Sequence, residues 1–429
     1  METPNLTSVL TPMEIPQRKY AGTIDVVGYR PFKHQMAVHE VCDKHKANSV
    51  IVVKSRRQVG KSMMLLNELL RTACIRSEST SICVSPSFQQ AKKMYDDLKC
   101  AVIGSCAYRR HNDSELEIRL KNRSKILFKS AGSADTLRGF TTTKGILVVD
   151  EAAFITDEVF YGILLPMTNV YSSNVILCST PKFKKGFFYD YYQRGLNGEK
   201  NIYTIDFCEF DTSMLLSTEQ LNEYQRMLPK MQFLNEYMGQ FMDANSEVFG
   251  DFEDLLIEHN TASCTGVQFG VDWGSGTGKD YTAIAIINDS KQMIDIVYFN
   301  DKDVKTTIDT IAQLADKYKP LKITVEKNSI GQIYFDLLKK KLSNYNVVPF
   351  VTDNESKNKI INNLQLLIEN KAVRLIDDFE LKNELAMYQL EQTRTGKTTY
   401  NAQKGSHDDL VIATAIAFYS TITGHYIIR

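Results

Sequence analysis

The chain has 429 residues, more than one ordinary domain holds, and 43% of them are hydrophobic, which is enough to build two full cores. The 51 Lys and Arg equal the 51 Asp and Glu, so bulk charge argues neither for nor against nucleic acid, and any DNA-binding surface must be a local patch. The eight cysteines form no Cys-x-x-Cys pair, which excludes a zinc knuckle and a disulfide framework and is typical of a reducing compartment.

No segment of the sequence predicts a membrane location. The N-terminus has no basic stretch followed by an apolar one, and no apolar run approaches the roughly 20 residues that a membrane span requires. We therefore expect a cytosolic protein with no membrane partner.

The chain begins with a polar segment, residues 1–28, dotted with Pro and Thr, which we expect to form an irregular lead. Gln35 follows it, just ahead of a helical run that ends near Lys46. Gln35 is a candidate for reading adenine, because an amide side chain can hydrogen-bond to both N6 and N7 of that base. The alternative is an exposed helix residue without a ligand.

The next stretch has the pattern of a phosphate-binding loop. A β-branched strand, Val50–Val53, leads through a turn to Gly60, Lys61 and Ser62 at the start of an amphipathic helix. Backbone N–H groups of such a turn point at an anion. Lys61 is predicted to reach the β- and γ-phosphates of ATP, and the Ser62 hydroxyl to bind Mg²⁺. The residues predicted to contact the nucleotide are Ser55, Arg56, Arg57, Gln58, Val59, Gly60, Lys61 and Ser62.

This loop departs from the usual pattern at two points. Ser55 stands where Gly is usual, and two arginines, Arg56 and Arg57, follow it. The alternative interpretation is a basic strand-to-helix turn without a ligand. Strands and helices continue to alternate after the loop, which predicts right-handed crossovers and a mainly parallel sheet.

A second motif ends a buried strand with two carboxylates. The run from Gly145 is apolar as far as Asp150, which is typical of a buried parallel strand, and Glu151 follows. We predict that Asp150 binds Mg²⁺ and that Glu151 polarises the water that attacks the γ-phosphate. The alternative is a pair of helix-capping carboxylates. After the next strand, Ser179 and Thr180 are predicted to sense the γ-phosphate, with an ordinary turn before proline as the alternative.

Together these motifs resemble the ATPase half of the large terminase subunits, the DNA-packaging ATPases of tailed bacteriophages. The likeness covers about residues 29–210 and is carried by the Arg-bearing loop, by Leu137-Arg138-Gly139 before the Asp150 strand, and by Ser-Thr-Pro after the next one. The resemblance implies that Arg138 reaches the ATP of a neighbouring subunit. It also implies that Arg56 or Arg57 contacts phosphate within its own subunit.

The second half of the chain, residues 251–429, is predicted to form a domain of its own. Three adjoining strands are followed by helix–strand alternation. Carboxylates end the first and fourth strands and begin the last helix, at Asp272, Glu326, Asp408 and Asp409. This arrangement resembles the ribonuclease H-like nuclease fold over about residues 267–421.

Several carboxylates in one cleft repel each other unless divalent cations neutralise them. We therefore predict that these four acids hold two Mg²⁺ ions, with Mn²⁺ as a substitute, about 3.5 to 4 Å apart across a scissile phosphate. Asp280 is predicted as an auxiliary ligand, and His407 as a residue that orients a carboxylate or phosphate. Each acid alone could instead end a strand or cap a helix. The sequence leaves open which of Asp408 and Asp409 is the main ligand.

Two glycine-rich stretches, 274–280 and 396–398, are predicted as β-turns and not as further phosphate loops. Trp273 stands where the first Gly of the pattern belongs, and Asp280 where Ser or Thr would bind Mg²⁺. In the second stretch Glu391 replaces the first Gly.

We predict a two-domain α/β protein with a lead at 1–28, a P-loop ATPase core at 29–198, a helical lid or linker at 199–250, and a ribonuclease H-like mixed-sheet nuclease at 251–429. By resemblance it moves double-stranded viral DNA into procapsids with ATP and cuts concatemeric DNA. The implied partners are double-stranded DNA, a portal protein, a small terminase subunit and further copies of the chain in a ring. The implied location is the cytoplasm of the infected bacterial host and, transiently, the procapsid.

Two alternatives belong to other classes of protein. One is a helicase- or repair-type ATPase-nuclease, which would track single strands, and the other is a non-catalytic DNA-bridging protein, which would not need Lys61 or Asp272.

Overall fold

The computed structural model describes residues 28–45, 47–170, 173–243, 247–259, 263–274, 280–328, 331–392, 398–402 and 407–420. The predicted lead at 1–28, apart from its last residue, lies outside these ranges, as do most of the two predicted glycine-rich turns. The chain divides into two compact units, one formed by Met1–Pro181 and Lys185–Leu215 and the other by Lys182–Lys184 and Leu216–Arg429.

The first unit is built on an eight-stranded sheet. Its strands are β1 Val50–Lys54, β2 Thr80–Ser85, β3 Tyr108–Asn112, β4 Glu117–Leu120, β5 Lys125–Ser130, β6 Lys144–Asp150, β7 Asn174–Ser179 and β8 Ile202–Asp206. The order across the sheet is β3-β4-β5-β2-β6-β7-β1-β8, and every neighbouring pair from β5 to β8 is parallel. The predicted mainly parallel sheet is therefore confirmed. The antiparallel strands β3 and β4 form one end of it.

Helices pack on both faces of this sheet and bury its central strands. The helices are α1 Lys33–Lys44, α2 Lys61–Ile75, α3 Phe88–Val102 and α4 Phe187–Leu196. Short helical turns lie at Ala131–Leu137, Ala152–Phe154, Asp157–Val159, Phe160–Leu164, Pro166–Asn169 and Phe207–Glu209. Every residue of β2 and of β7 is buried, as expected of parallel strands between two layers of helices.

Strand β8 lies inside the range 199–250 that we predicted as a helical lid or linker. It pairs in parallel with β1 along its whole length, so the sheet extends beyond residue 198. Only Ile202 and Ile205 of this strand are buried, and two buried residues give too weak an alternation to mark an edge strand in the sequence.

The second unit contains a five-stranded mixed sheet. The strands of the whole unit, within the described ranges, are β9 Leu256–Ile257, β10 Gln268–Asp272, β11 Thr282–Ile287, β12 Met293–Phe299, β13 Lys322–Glu326, β14 Val347–Phe350, β15 Leu375–Ile376, β16 Tyr388–Gln392 and β17 Thr398–Ala402. The large sheet has the order β12-β11-β10-β13-β14, with β10 antiparallel to β11 and parallel to β13. The other four strands form two separate pairs, β15 with β9 and β16 with β17.

Within the described ranges these strands are accompanied by the α-helices α5 Thr218–Met227, α6 Lys230–Glu236, α7 Val304–Tyr318, α8 Gly331–Lys341, α9 Asn354–Glu369, α10 Phe379–Met387 and α11 Asp409–Ser420, and by a short helical turn at Glu253–Leu255. Helix α11 lies directly on β10, because a Cβ added to Gly270 would be only 2.2 Å from the Ala413 carbonyl oxygen. This close contact fixes the start of α11 near the end of β10. No helix in the described ranges is long and apolar enough to span a bilayer.

Two candidate active sites

The loop after β1 forms a cradle at the carboxyl edge of the first sheet. Gln58 and Gly60 both have positive φ, 62° and 79°, and α2 begins directly afterwards. A Cβ at Gly60 would be strained by the positive φ and would lie 2.7 Å from Gln35 Nε2, so it would have to displace the Gln35 amide. The N–H groups of the first turn of α2 therefore face this loop, as an anion site requires.

Helix α1 supports the cradle from the protein side. Gln35 is 2% exposed, which contradicts the alternative of an exposed helix residue. Its Nε2 donates to the Gly60 carbonyl at 2.9 Å, and its Oε1 accepts from the Phe32 N–H at 2.9 Å. His34 Nε2 lies 2.9 Å from the Val59 carbonyl oxygen. Adenine reading by Gln35 stays a prediction, and His34 is a loop-supporting residue that the sequence did not reveal.

Glu151 is at the centre of the contacts in this site. Its backbone is left-handed, with φ 48° and ψ 48°, which is uncommon outside glycine and clusters at functional sites. Its Oε1 lies 3.7 Å from Lys61 Nζ, and its Oε2 accepts from the Ser179 and Thr180 hydroxyls at 3.2 and 3.4 Å. Lys61 also donates to the Arg56 carbonyl at 3.4 Å. The structure thus brings together the predicted groups from the loop, β6 and β7.

Asp150, the residue before Glu151, is buried. Burial, followed by the neighbouring charge of Glu151, raises the pKa of its carboxyl to about 7. One carboxylate oxygen, Oδ1, is buried and has no hydrogen-bond partner among the residues that the structure describes. A divalent cation bound here would satisfy that oxygen and favour the ionised form, so the residues fit the predicted Mg²⁺. The Ser62 side chain is exposed at the mouth of the cradle.

The predicted arginines lie in different surroundings. Arg56 is half-buried, and its Nη2 donates to the Thr212 hydroxyl. Arg57 is exposed at the tip of the loop, and Arg138 is exposed between the turn Ala131–Leu137 and β6. Ser55 is buried and donates its hydroxyl to the Arg56 carbonyl at 3.0 Å, so this serine stabilises the loop from within.

The second site is a cleft of about 310 Å³ at the ends of β10 and β13. The predicted ligands line it together: Asp272, Asp280, Glu326, Asp408 and Asp409. Asp272 is 7% exposed, and burial, with Glu326 as the next cause, raises the pKa of its carboxyl well above the usual range. Because buried like charges raise each other's pKa, this donor set fits divalent cations.

The neighbours Asp408 and Asp409 have different partners. Asp409 Oδ2 accepts from the Tyr281 N–H at 2.7 Å, and burial raises the pKa of this carboxyl to about 6. The atoms of Asp280, His407 and Asp409 that could hold a metal lie within 4.8 Å of one another. Asp408 Oδ2 lies 2.9 Å from Lys357 Nζ.

The cap of α11 comes from a residue that the sequence did not reveal. The N–H groups of Leu410 and Val411 donate to Glu384 Oε2 at 2.8 and 3.0 Å. Glu384 lies on α10, and burial raises the pKa of its carboxyl to about 8. The carboxylate that satisfies these N–H groups is thus Glu384, and the side chains of Asp408 and Asp409 line the cleft.

Two family models match successive parts of the chain. "Terminase large subunit, T4likevirus-type, N-terminal" matches residues 51–253, and "Terminase RNaseH-like domain" matches residues 269–420. A large terminase subunit of Thermus virus P23-45 is 22% identical over 446 residues, which covers 92% of this chain and 88% of that protein.

Solved structures show the same fold. The large terminase of a thermophilic bacteriophage aligns with a TM-score of 0.60 at 16% identity, covering 92% of this chain and 100% of that one. Its complex with ADP aligns with a TM-score of 0.57 and covers 91% of this chain. The two family models, in this order and over most of the sequence, identify the family. The chain belongs to the large terminase subunits, which package viral DNA with an ATPase domain and cut it with a ribonuclease H-like nuclease domain.

Proposed function

We propose that the first unit hydrolyses ATP to drive double-stranded DNA into procapsids. The contacts around Glu151 support this most directly. Lys61 Nζ lies 3.7 Å from Glu151 Oε1, and the phosphates of ATP would offer Lys61 stronger anionic partners. Glu151, still held by the Ser179 and Thr180 hydroxyls, would then be aligned to accept a hydrogen bond from the attacking water.

The remaining residues of the cradle would each act on the nucleotide. The Ser62 hydroxyl and Asp150 would hold Mg²⁺, which neutralises charge on the phosphates. The backbone of Gln58, Val59 and Gly60 would surround the phosphates. Arg56 or Arg57 would contact phosphate in the same subunit, and Arg138, exposed on its loop, would reach the ATP of a neighbouring copy.

The second unit is proposed to cut DNA. Asp272, Glu326, Asp408 and Asp409 would hold two Mg²⁺ ions, or Mn²⁺, and Asp280 would be an auxiliary ligand. Two such ions supply the charge that stabilises both the attacking and the leaving oxygen. The protein's own contribution is geometric: β10, β13 and α11 hold the carboxylates around one cleft. His407, 3.9 Å from both Asp280 and Asp409, would orient their carboxylates.

Family membership supports the proposed partners and location. These are a portal protein, a small terminase subunit, a ring of copies of this chain, the cytoplasm of the infected host, and the procapsid during packaging. The Gln35 amide, which donates to the Gly60 carbonyl, is also proposed to read adenine.

A packaging assay with purified procapsids, portal and ATP tests the function as a whole. DNA that becomes resistant to added nuclease measures translocation, and the length of free DNA measures cutting. Lys61→Ala should lose protected DNA and Asp272→Asn should lose cutting. Protected DNA at the wild-type level with Lys61→Ala would contradict the proposed motor.

A further inference from the structure

One lysine stands among the acids of the nuclease cleft. The cleft-lining residues in the described ranges include five carboxylates but a single cationic side chain, Lys357. Its Nζ lies 2.9 Å from Asp408 Oδ2, and its side chain is 20% exposed. This ammonium therefore occupies the position of a cation against one of the proposed metal ligands.

The fold places Lys357 there by helical periodicity. Helix α9 is capped by Asp353, which accepts the Ser356 N–H at 2.7 Å. Ile361 and Leu364, four and seven residues after Lys357, are fully buried in the core that also contains α11. Residues at this spacing share one helix face, so Lys357 continues the buried face to the cleft. Its Nζ also lies 5.9 Å from the ring centroid of the buried Tyr388.

Charge gives this position a consequence for metal and for DNA. Carboxylates at this density repel each other and repel a DNA phosphate, and an ammonium at 2.9 Å from Asp408 reduces both effects. A divalent ion that uses Asp408 as a ligand competes with Lys357 for the same oxygens. Once displaced from Asp408, the Lys357 ammonium would stay beside the cleft, where a backbone phosphate of bound DNA would offer it a new anionic partner.

We propose that Lys357 neutralises Asp408 until a divalent metal ion binds, and that it then contacts a backbone phosphate of the DNA in the cleft. This inference deepens the proposed nuclease function and rests on it. Lys357 is a substrate-contacting residue in this scheme, and Asp408 exchanges one cation for another.

The test uses the full chain with three variants. Lys357→Gln keeps most of the stem but removes the charge, and Lys357→Arg keeps the charge. Lys359→Ala is the matched control, because Lys359 lies on the same helix, is 58% exposed and pairs with Glu355 outside the cleft. Mn²⁺ binding is measured by calorimetry without DNA. Duplex DNA binding is measured in Ca²⁺ over a series of salt concentrations.

The expected signature has opposite signs for metal and DNA. Lys357→Gln should bind Mn²⁺ several-fold more tightly, because the competing ammonium is gone. It should bind DNA more weakly, with the slope of log affinity against log salt reduced by about 0.9, the value for one lost phosphate contact on duplex DNA. Lys357→Arg should restore the salt slope, and Lys359→Ala should match wild type in both measurements.

Unchanged or weaker Mn²⁺ binding by Lys357→Gln would overturn the exchange at Asp408. An unchanged salt slope would overturn the phosphate contact. Failure of the underlying nuclease assignment is distinguishable, because it requires Asp272→Asn to retain metal-dependent cleavage, whatever the Lys357 variants do.

Discussion

The two sites both have carboxylates at the ends of strands, but these carboxylates differ in the partners that the protein gives them. In the first unit Glu151 has protein partners on both oxygens, Lys61 at 3.7 Å on one and two hydroxyls on the other, whereas Oδ1 of the adjacent Asp150 is buried without a hydrogen-bond partner among the described residues. In the second unit five carboxylates share a cleft with Lys357. The first site is therefore largely organised by the protein, whereas the carboxylates of the second repel each other and leave a negative charge that bound cations would balance.

The largest effect should follow from removing a buried carboxylate of the metal-dependent site. Asp272→Ala should reduce DNA cleavage to background, because it removes a central ligand, and loss of even an outer-shell partner costs about 10- to 100-fold. The ATPase rate should stay close to wild type, since Asp272 belongs to the second unit. Gel analysis of cleaved plasmid and a phosphate-release assay measure the two activities.

Asp336→Ala is the control for that comparison, because Asp336 is an exposed acid on α8 outside the cleft. It should cleave DNA at the wild-type rate. Retention of cleavage by Asp272→Ala would show that the cleft is not the nuclease site.

The second largest effect is expected at Glu151, where the protein positions the reactive group. Glu151→Gln should bind ATP but hydrolyse it roughly a hundredfold more slowly or worse, which is the usual cost of losing one positioned transition-state group. Fluorescent-nucleotide binding and steady-state phosphate release separate the two steps. Glu158→Gln, a change at an exposed acid seven residues away, should leave both unchanged. Near-wild-type turnover by Glu151→Gln would assign the attacking water to another residue.

A smaller effect should reveal whether the first site is completed by a neighbouring copy. Arg138→Ala and Lys61→Ala should each abolish ATPase activity in rings assembled on the portal. In an equal mixture about a quarter of the sites would combine an intact cradle with an intact neighbouring arginine, so about that fraction of activity should return. Mixed rings that assemble without any recovery would make Arg138 a residue of its own subunit.

The sequence predicted the strand ends better than the residues that support them. Asp150, Glu151 and Asp272 each follow a run of mainly apolar residues, and Glu326 follows the β-branched stretch Ile323-Thr324-Val325; such stretches are typical of buried strands. Within each site the acids lie close to their partners because the carboxyl ends of parallel strands share one edge of a sheet.

The supporting residues carry no comparable signal. Glu384 caps α11 from another helix, and His34 contacts the loop across 25 residues of sequence. No local pattern tells which distant N–H or carbonyl a side chain will meet. Strand β3 was also missed, because four of its five residues are exposed and polar. In this chain the strand ends that carry the predicted site residues were thus easier to predict than the residues that support them.

The last prediction concerns stability rather than rate, and it tests the contrast at Asp150, whose buried Oδ1 has no hydrogen-bond partner among the described residues. Burial raises the pKa of Asp150 from its ordinary 3.8 to about 7. Between about pH 4 and 7 the folded state therefore holds a proton that the unfolded state has released, so this carboxyl lowers the free energy of unfolding as pH rises through that window. Without metal, Asp150→Asn should stabilise the first unit by roughly 1 to 3 kcal/mol at pH 8 and give little gain near pH 4.

Urea unfolding in EDTA, followed by far-ultraviolet circular dichroism, measures the gain from Asp150→Asn. The only tryptophan, Trp273, lies in the second unit, so its fluorescence transition should not move. Asp211→Asn is the matched control, because the Ser213 N–H lowers the pKa of Asp211. Removing the Asp211 charge should therefore give no gain in stability at pH 8. The prediction would be wrong if Asp150→Asn gave no gain in stability at pH 8, or an equal gain at both pH values. Asp150 would then not be a destabilised carboxylate that a cation stabilises, and the first site would be organised by the protein alone.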